Sequence, residues 1–445
     1  MLYNKLRIAI ESNQLRIASA IRIAIGTAQN KILAEILGQS GFGLVSYYLS
    51  IDSLIQGASG LGCTLICISN ASLLSQNGRT NTANGYLARY LRYSVFNRIN
   101  YACLVLCVFM YLLLTTYNNI YDKNVFLLQG LDPTFLLILP CLLVLYSLSR
   151  AYQVVLYAYK RVGLISAAII FGQISLLGVL FIAARNSQIE HIFAYLSFAA
   201  VINLLFLFIL NPYRQITAYA MKRIRESPQL LTGRALWLTP SAVSQSRFFL
   251  ISLFASFLID ILFRTVYILN YGVESNGAFQ SILLLINTPM TLYYSKLDAS
   301  LLPALSACKP ASNHYYKVLT SSYVRALFVL ALIASLVIFF GKQLLTALFS
   351  DAFVFAIPLF LASAAHVASK CMQIYARYNS IVLKCTLSSI SADLLLPLMG
   401  LLLAFTFSKF VQNTTPLQYV TLYSMPLLVG SLILVKQPSK HFKNV

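Results

Sequence analysis

The chain is dominated by apolar runs of about 20 residues, separated by short connections, and a run of that length crosses a hydrocarbon core of about 30 Å as one helix. The runs are too continuous for the alternating pattern of an outer-membrane barrel. With 59% apolar and only 10% charged residues over 445 positions, no soluble domain class fits. The expected fold is an all-α polytopic membrane protein. Its twelve spans are placed at about 15–37, 44–69, 93–116, 133–159, 162–184, 191–210, 235–259, 278–302, 324–340, 353–377, 381–407 and 417–435.

The formal net charge of +21 would suggest nucleic acid in a soluble protein, but here the Lys and Arg residues collect in alternate connections. That is the pattern of cytoplasmic loops, and it needs no nucleic-acid partner. The most basic connection, 211–234, carries Arg214, Lys222, Arg223, Arg225 and Arg234 and divides the chain into an N-terminal lobe, 1–210, and a C-terminal lobe, 235–445. With six spans in each, both lobes enter the membrane in the same orientation and both termini are cytoplasmic. The eight cysteines have no His or carboxylate partners at ligand spacing and read as small packing residues, so neither metal nor cofactor is expected.

An internal repeat supports the division. Gly38 and Gly43 match Gly272 and Gly277 at one offset, 272 − 38 = 277 − 43 = 234. Ser149, Arg150 and Gln153 match Ser369, Lys370 and Gln373 at an offset of 220, the shorter loops of the second half accounting for the difference. The expected architecture is therefore two six-helix lobes related by a pseudo-two-fold axis along the membrane normal.

Polar residues within spans are costly and should converge on a bundle interior or a wet cavity. In the fourth span they form the stripe Tyr146, Arg150, Gln153 and Tyr157; in the tenth, Ser363, His366, Lys370, Gln373 and Arg377. Steps of three and four put each set on one helix face. Together with Arg247 and Lys296 these supply cations for phosphate, and amides and hydroxyls for sugar. Snorkelling toward the cytoplasmic surface is the competing account of Arg150 and Lys370. Asp52, Asp260, Asp298 and Asp393 are the candidates for proton or ion coupling, Asp260 also being open to a local ion pair with Arg264.

Three stretches resemble a known family: Leu37-Gly38-Gln39-Ser40-Gly41-Phe42-Gly43, Asp260 through Gly272 to Gly277, and Leu302-Pro303-Ala304-Leu305-Ser306. They look like the Wzx-type polysaccharide flippases of the multidrug/oligosaccharidyl-lipid/polysaccharide exporter superfamily. One departure is Asn276-Gly277-Ala278-Phe279, which stands where Gly-x-Tyr is more usual. The resemblance implies a monomeric bacterial inner-membrane transporter that moves an undecaprenyl-diphosphate-linked oligosaccharide (O-antigen or another surface polysaccharide) to the periplasmic leaflet by alternating access. It also implies a polysaccharide polymerase and a chain-length regulator as partners, alongside membrane lipid. The alternatives are a drug or cation antiporter of the same superfamily and a membrane polysaccharide polymerase. An enzyme is disfavoured because the connections are short and no nucleophile, acid and base come together.

Overall fold

The computed structural model describes residues 2–59, 84–85, 87–88, 90–91, 104–105, 108, 135–159, 161–186, 191–210, 240–308, 312–382, 394–411 and 414–436. Among the described residues the regular structure is helical throughout. The elements are α1 (Leu2–Ser59), α2 (Phe135–Ala158), α3 (Val162–Arg185), α4 (Ile192–Leu210), α5 (Pro240–Ala307), α6 (Asn313–Leu348), a 3-10 segment (Asp351–Leu359) running into α7 (Phe360–Val382), α8 (Leu396–Phe410) and α9 (Pro416–Lys436). Six segments among the described residues are long and apolar enough to cross a bilayer. The chain is a multi-pass membrane protein. Exposed Phe328, Phe339 and Phe340 on α6 are what a lipid-facing surface requires, because hydrocarbon imposes no penalty on apolar side chains.

The fourth, fifth, sixth and twelfth expected spans coincide with α2, α3, α4 and α9 to within about two residues, the usual scatter of helix ends. The ninth is longer than expected, since α6 begins at Asn313, where the Ser312 hydroxyl accepts from the Tyr315 amide at 3.2 Å and caps it. The third span and the basic connection 211–234 lie almost wholly outside the described residues.

The largest difference is in the seventh and eighth spans. In place of a helix end near 259 and a loop to 277, α5 continues through Asp260, Arg264 and Tyr271 and leaves helical geometry only at Gly272 (φ 83°, ψ 166°). Asp260 therefore lies twelve residues before the break, about 18 Å along the helix and not at its end. Hydropathy alone dips at these polar side chains, whereas packing supplies them with partners, and the helix runs on. The same device recurs in α1, which breaks only at Gly38 (φ 63°, ψ −169°). Positive φ is nearly free for glycine and costly for other residues, so the two matched glycines mark matched breaks.

Two compact units emerge from the contacts: residues 1–29 with 51–250, and residues 30–50 with 251–445. In the first, α2, α3 and α4 pack on one another around Ala151, Val154, Val155, Ile165 and Leu207, with Phe171 stacked on Phe206 at 3.8 Å. In the second, α7 and α8 pack on α9, and α6 on α7. The broken part of α1 belongs to this second unit. The Asn276 amide donates to the Gly43 carbonyl at 2.8 Å, Gln39 to the Glu274 carbonyl at 3.1 Å, and the Ser40 hydroxyl to the Glu274 carboxylate at 3.0 Å. A Cβ on Gly43 would overlap the Val273 carbonyl oxygen, and one on Gly277 the Gln39 carbonyl oxygen. Phe42 meets Phe349 and Phe353 edge-on at 5.6 and 5.7 Å.

Candidate functional site

In the first unit, the stripe of α2 faces a cavity of about 290 Å³. Its wall carries Tyr146, Ser149, Arg150, Gln153 and Tyr157 from α2, Arg22 and Gln56 from α1, Gly172 and Gln173 from α3, and Asn203 from α4. Steps of three and four along α2 are what turn these side chains to one side. The volume lies at the lower end for small-molecule sites, enough for a headgroup fragment and not for a whole lipid-linked glycan. Two of the wall groups, the Ser149 hydroxyl and the Asn203 carbonyl oxygen, are buried and have no hydrogen-bond partner among the described residues. An unspent buried donor or acceptor costs about 1–3 kcal/mol unless something supplies the bond, which makes this wall suited to a polar ligand.

Behind the wall sits Asp52, 3% exposed. Tyr146 donates to one of its carboxylate oxygens and Gln56 to the other, both at 2.7 Å. Neither donor is charged, and Asp52 forms no ion pair among the described residues. The Gln173 amide, also in the wall, donates to the Gln29 carbonyl oxygen at 3.1 Å.

The second unit holds a different arrangement. The Lys370 ammonium of α7 reaches both carboxylate oxygens of Asp260 on α5 at 2.8 Å, and the Tyr423 hydroxyl of α9 donates to one of them at 2.8 Å. Three helices are thereby joined through one carboxylate. Arg264, one turn beyond Asp260, forms no ion pair with it and keeps one buried guanidinium nitrogen without a hydrogen-bond partner among the described residues. His366 is packed against Phe263, Phe279 and Tyr423, with ring centroids 5.7–6.0 Å apart. Phe263 stacks on Tyr423 at 4.1 Å.

The sequence candidates thus separate. Arg150, Gln153 and Tyr157 share the cavity of the first unit, and Asp52 adjoins it. Lys370, Asp260 and His366 meet in the second unit, where Gln373 is buried in the same helix. Asp393 lies outside the described residues, and so do the side chains of Arg247, Lys296, Asp298 and Arg377, whose helices alone are described. In the sequence Arg22 stood out only as one of several polar interruptions of the first span, and Gln173, Asn203 and Tyr423 were passed over. Gln173 and Asn203 are isolated polar residues inside apolar runs and could have been found on that ground; Tyr423, one of 28 tyrosines, carries no such signal.

No protein family matches the chain, and no curated protein matches it in sequence. Solved structures do match along almost its whole length. An inward-facing multidrug resistance MATE family transporter of the MOP superfamily aligns with a TM-score of 0.62 at 14% identity, covering 96% of this chain and 98% of that one. A MATE protein in complex with MaD3S aligns with a TM-score of 0.62 at 13% identity, over 98% and 96%. A MOP superfamily transporter from Pyrococcus furiosus, described as having a binding pocket of reverse polarity that suggests a different function, aligns with a TM-score of 0.54 at 13% identity, over 96% and 94%. The chain has the fold of these transporters. That fold, twelve helices in two lobes, is the all-α polytopic class expected from the apolar runs.

Proposed function

We propose that the protein is a MOP-superfamily transporter that flips an anionic lipid-linked oligosaccharide, of the undecaprenyl diphosphate type, across a bacterial inner membrane by alternating access. The observation that carries this reading is the cavity wall of the first unit. Two arginines there stand among side-chain amides and hydroxyls, and two of the polar groups are unspent. Arginine binds phosphate through paired hydrogen bonds, while amides and hydroxyls supply the mixed donors and acceptors that sugar hydroxyls need. Structures of the same fold in inward- and outward-facing conformations support the transport cycle.

A drug or cation antiporter is the second reading, favoured by the multidrug names of the similar structures and by carboxylates within the helices. The two readings differ in the sign of the preferred cargo. A cation exporter would be expected to present uncompensated carboxylates to its path. Here Asp260 is occupied by Lys370, Asp52, which has no cation partner among the described residues, lies behind Tyr146 and Gln56 and not in the wall itself, and the cavity of the first unit has arginines in that wall.

The test is complementation of a flippase-deficient bacterial strain, scoring surface polysaccharide, with Arg22→Ala and Arg150→Ala alone and combined at matched membrane abundance. The flippase reading expects the wild type to restore polysaccharide and the double variant to lose at least tenfold, since each lost charge-assisted phosphate contact is worth about 1.5–3 kcal/mol. Drug resistance conferred on an exporter-deficient strain, with no polysaccharide restored, would establish the antiporter instead.

A further inference from the structure

The outer face of α6 carries charge that transport leaves unused. At 36 residues α6 is about 54 Å long, well beyond a hydrocarbon core of about 30 Å, and it contains no acidic residue. Its exposed cations mark where the core ends. From Arg325 to Lys342 is 342 − 325 = 17 residues, about 26 Å of helix. The side chains exposed between them are apolar except for Ser335, whose hydroxyl is spent on the Ala331 carbonyl at 2.9 Å. Residues 313–325 therefore stand at the level of the lipid headgroups. With both termini cytoplasmic, as expected from the sequence, eight spans bring the chain back to the cytoplasmic leaflet here, where anionic lipids attract basic residues.

At that level Lys317, Ser321 and Arg325 follow one another at steps of four, all exposed and on one side of the helix. Steps of three, four and seven carry the same side on through Phe328, Leu332 and Phe339, which are 70%, 54% and 76% exposed. The Arg325 Nε donates to the Ser321 carbonyl at 3.2 Å, which folds the guanidinium back toward the headgroups and leaves both of its NH₂ groups unspent. Neither Lys317 nor Arg325 forms an ion pair among the described residues. The opposite side of the same turns is fixed. Tyr293 of α5 and Tyr375 of α7 both donate to the Ser322 carbonyl at 3.0 Å, and Tyr315 donates to Asn379 of α7 at 2.7 Å.

We propose that this face of α6 is a binding site for an anionic glycerophospholipid, which seats its phosphate on the Arg325 guanidinium beside the Lys317 ammonium and lays its acyl chains along Phe328, Leu332 and Phe339. Lipid chains gain nothing by leaving other lipid for an apolar helix, so the selectivity comes from the headgroup. A guanidinium fork takes two phosphate oxygens at a defined point, whereas a cation that only snorkels needs water alone. A zwitterionic lipid would bring its own cation to two unpaired cations, so the pair selects a headgroup of net negative charge. The site stands whatever the cargo of the transporter.

The test places a reporter in the site. In the full-length protein the one tryptophan is removed by Trp237→Phe and another introduced by Phe328→Trp, and the protein is reconstituted in mixed bilayers of phosphatidylcholine and phosphatidylglycerol. Brominated acyl chains quench a tryptophan they touch, so brominating one lipid at a time reads which lipid lies at position 328. Phosphatidylglycerol is expected there at about twentyfold over its share of the bilayer. Arg325→Gln and Lys317→Gln should each lower that preference about fivefold, the size expected of one basic residue beside an anionic headgroup, and together abolish it. Both side chains are exposed, so an unchanged thermal midpoint separates lost lipid from lost fold.

Three further measurements confine the preference to this site. Arg325→Lys keeps the charge without the fork and should lose most of what Arg325→Gln loses; full retention would mean diffuse attraction and overturn the phosphate seat. A tryptophan at Phe198, 60% exposed on α4, should be quenched alike by both lipids, and a preference there equal to that at 328 overturns the site. Isoprenyl diphosphate at an equal mole fraction is expected to leave the brominated phosphatidylglycerol in place. Its displacement would give the face to the lipid-linked cargo and overturn the choice of occupant, as would equal quenching by the two phospholipids at 328.

Discussion

At the scale of single residues, the Asp260–Lys370 pair decides what the second unit can offer a ligand. The ammonium that looked from its spacing like a free cation is committed to a carboxylate 110 positions away, with the Tyr423 hydroxyl completing the cluster. Both partners keep about a quarter of their side-chain surface exposed, 24% for Lys370 and 29% for Asp260. The loss of one partner should therefore fall between the small effect of an exposed pair and the 3–5 kcal/mol of a fully buried one, at about 2 kcal/mol. Lys370→Ala is expected to lower the thermal unfolding midpoint in detergent, and Asp260→Asn combined with Lys370→Gln to recover most of the loss, because neither charge of the pair is then left without the other. A double variant as unstable as the sum of the singles would show that the two residues act independently. The stripe Tyr146, Arg150, Gln153, Tyr157 was legible because helical period maps sequence onto a face. The Asp260–Lys370 pairing was not, because spacing along one helix says nothing of which residue a neighbouring helix presents, and Arg264, four positions from Asp260, was the only partner in view for that carboxylate.

At the scale of elements, α1 and α5 each carry two glycines at one offset, and the glycines do different work. Gly38 and Gly272 have positive φ and open space around a Cβ, so their need is conformational. Gly43 and Gly277 are helical, and their need is steric, since the opposing backbone occupies the place of a side chain. Gly38→Ala should cost about 1–2 kcal/mol, the strain of an L-residue in the left-handed region. Gly43→Ala should cost more. Overpacking alone costs about 1–3 kcal/mol, and separating the backbones would also break the 2.8 Å bond from Asn276 to the Gly43 carbonyl. Thermal midpoints of the two variants at equal expression check the order; a Gly38→Ala protein less stable than Gly43→Ala would reverse the assignment of roles. The repeat offset made these glycines legible in the sequence. The helix between Asp260 and Tyr271 was not legible, since a hydropathy profile registers the polar side chains and not the partners that let them stay in a helix.

At the scale of the whole molecule, the division by contacts and the division by sequence disagree over two stretches, 235–250 and 30–50, and the second of them has a consequence. The repeat and the basic connection place the boundary near 211–234, yet residues 30–50 pack with 251–445. The second half of the chain is therefore completed by a segment of the first: without it, Asn276 loses the Gly43 carbonyl, Glu274 loses Ser40, and Phe349 and Phe353 lose Phe42. If the chain is cut within the basic connection, residues 223–445 expressed alone are expected to accumulate in the membrane several-fold less than when residues 1–222 are supplied beside them. The two pieces should also copurify through a tag on either one. Gly43→Ala in the first piece should weaken that copurification, while Gly178→Ala, which has open space around its Cβ in the first unit, should leave it unchanged. Accumulation of the second piece to full level without the first would mean that residues 30–50 rest on a unit already complete. Membrane abundance by immunoblot, with the tagged pull-down alongside it, distinguishes a unit that needs the 30–50 segment to fold from one that merely binds it.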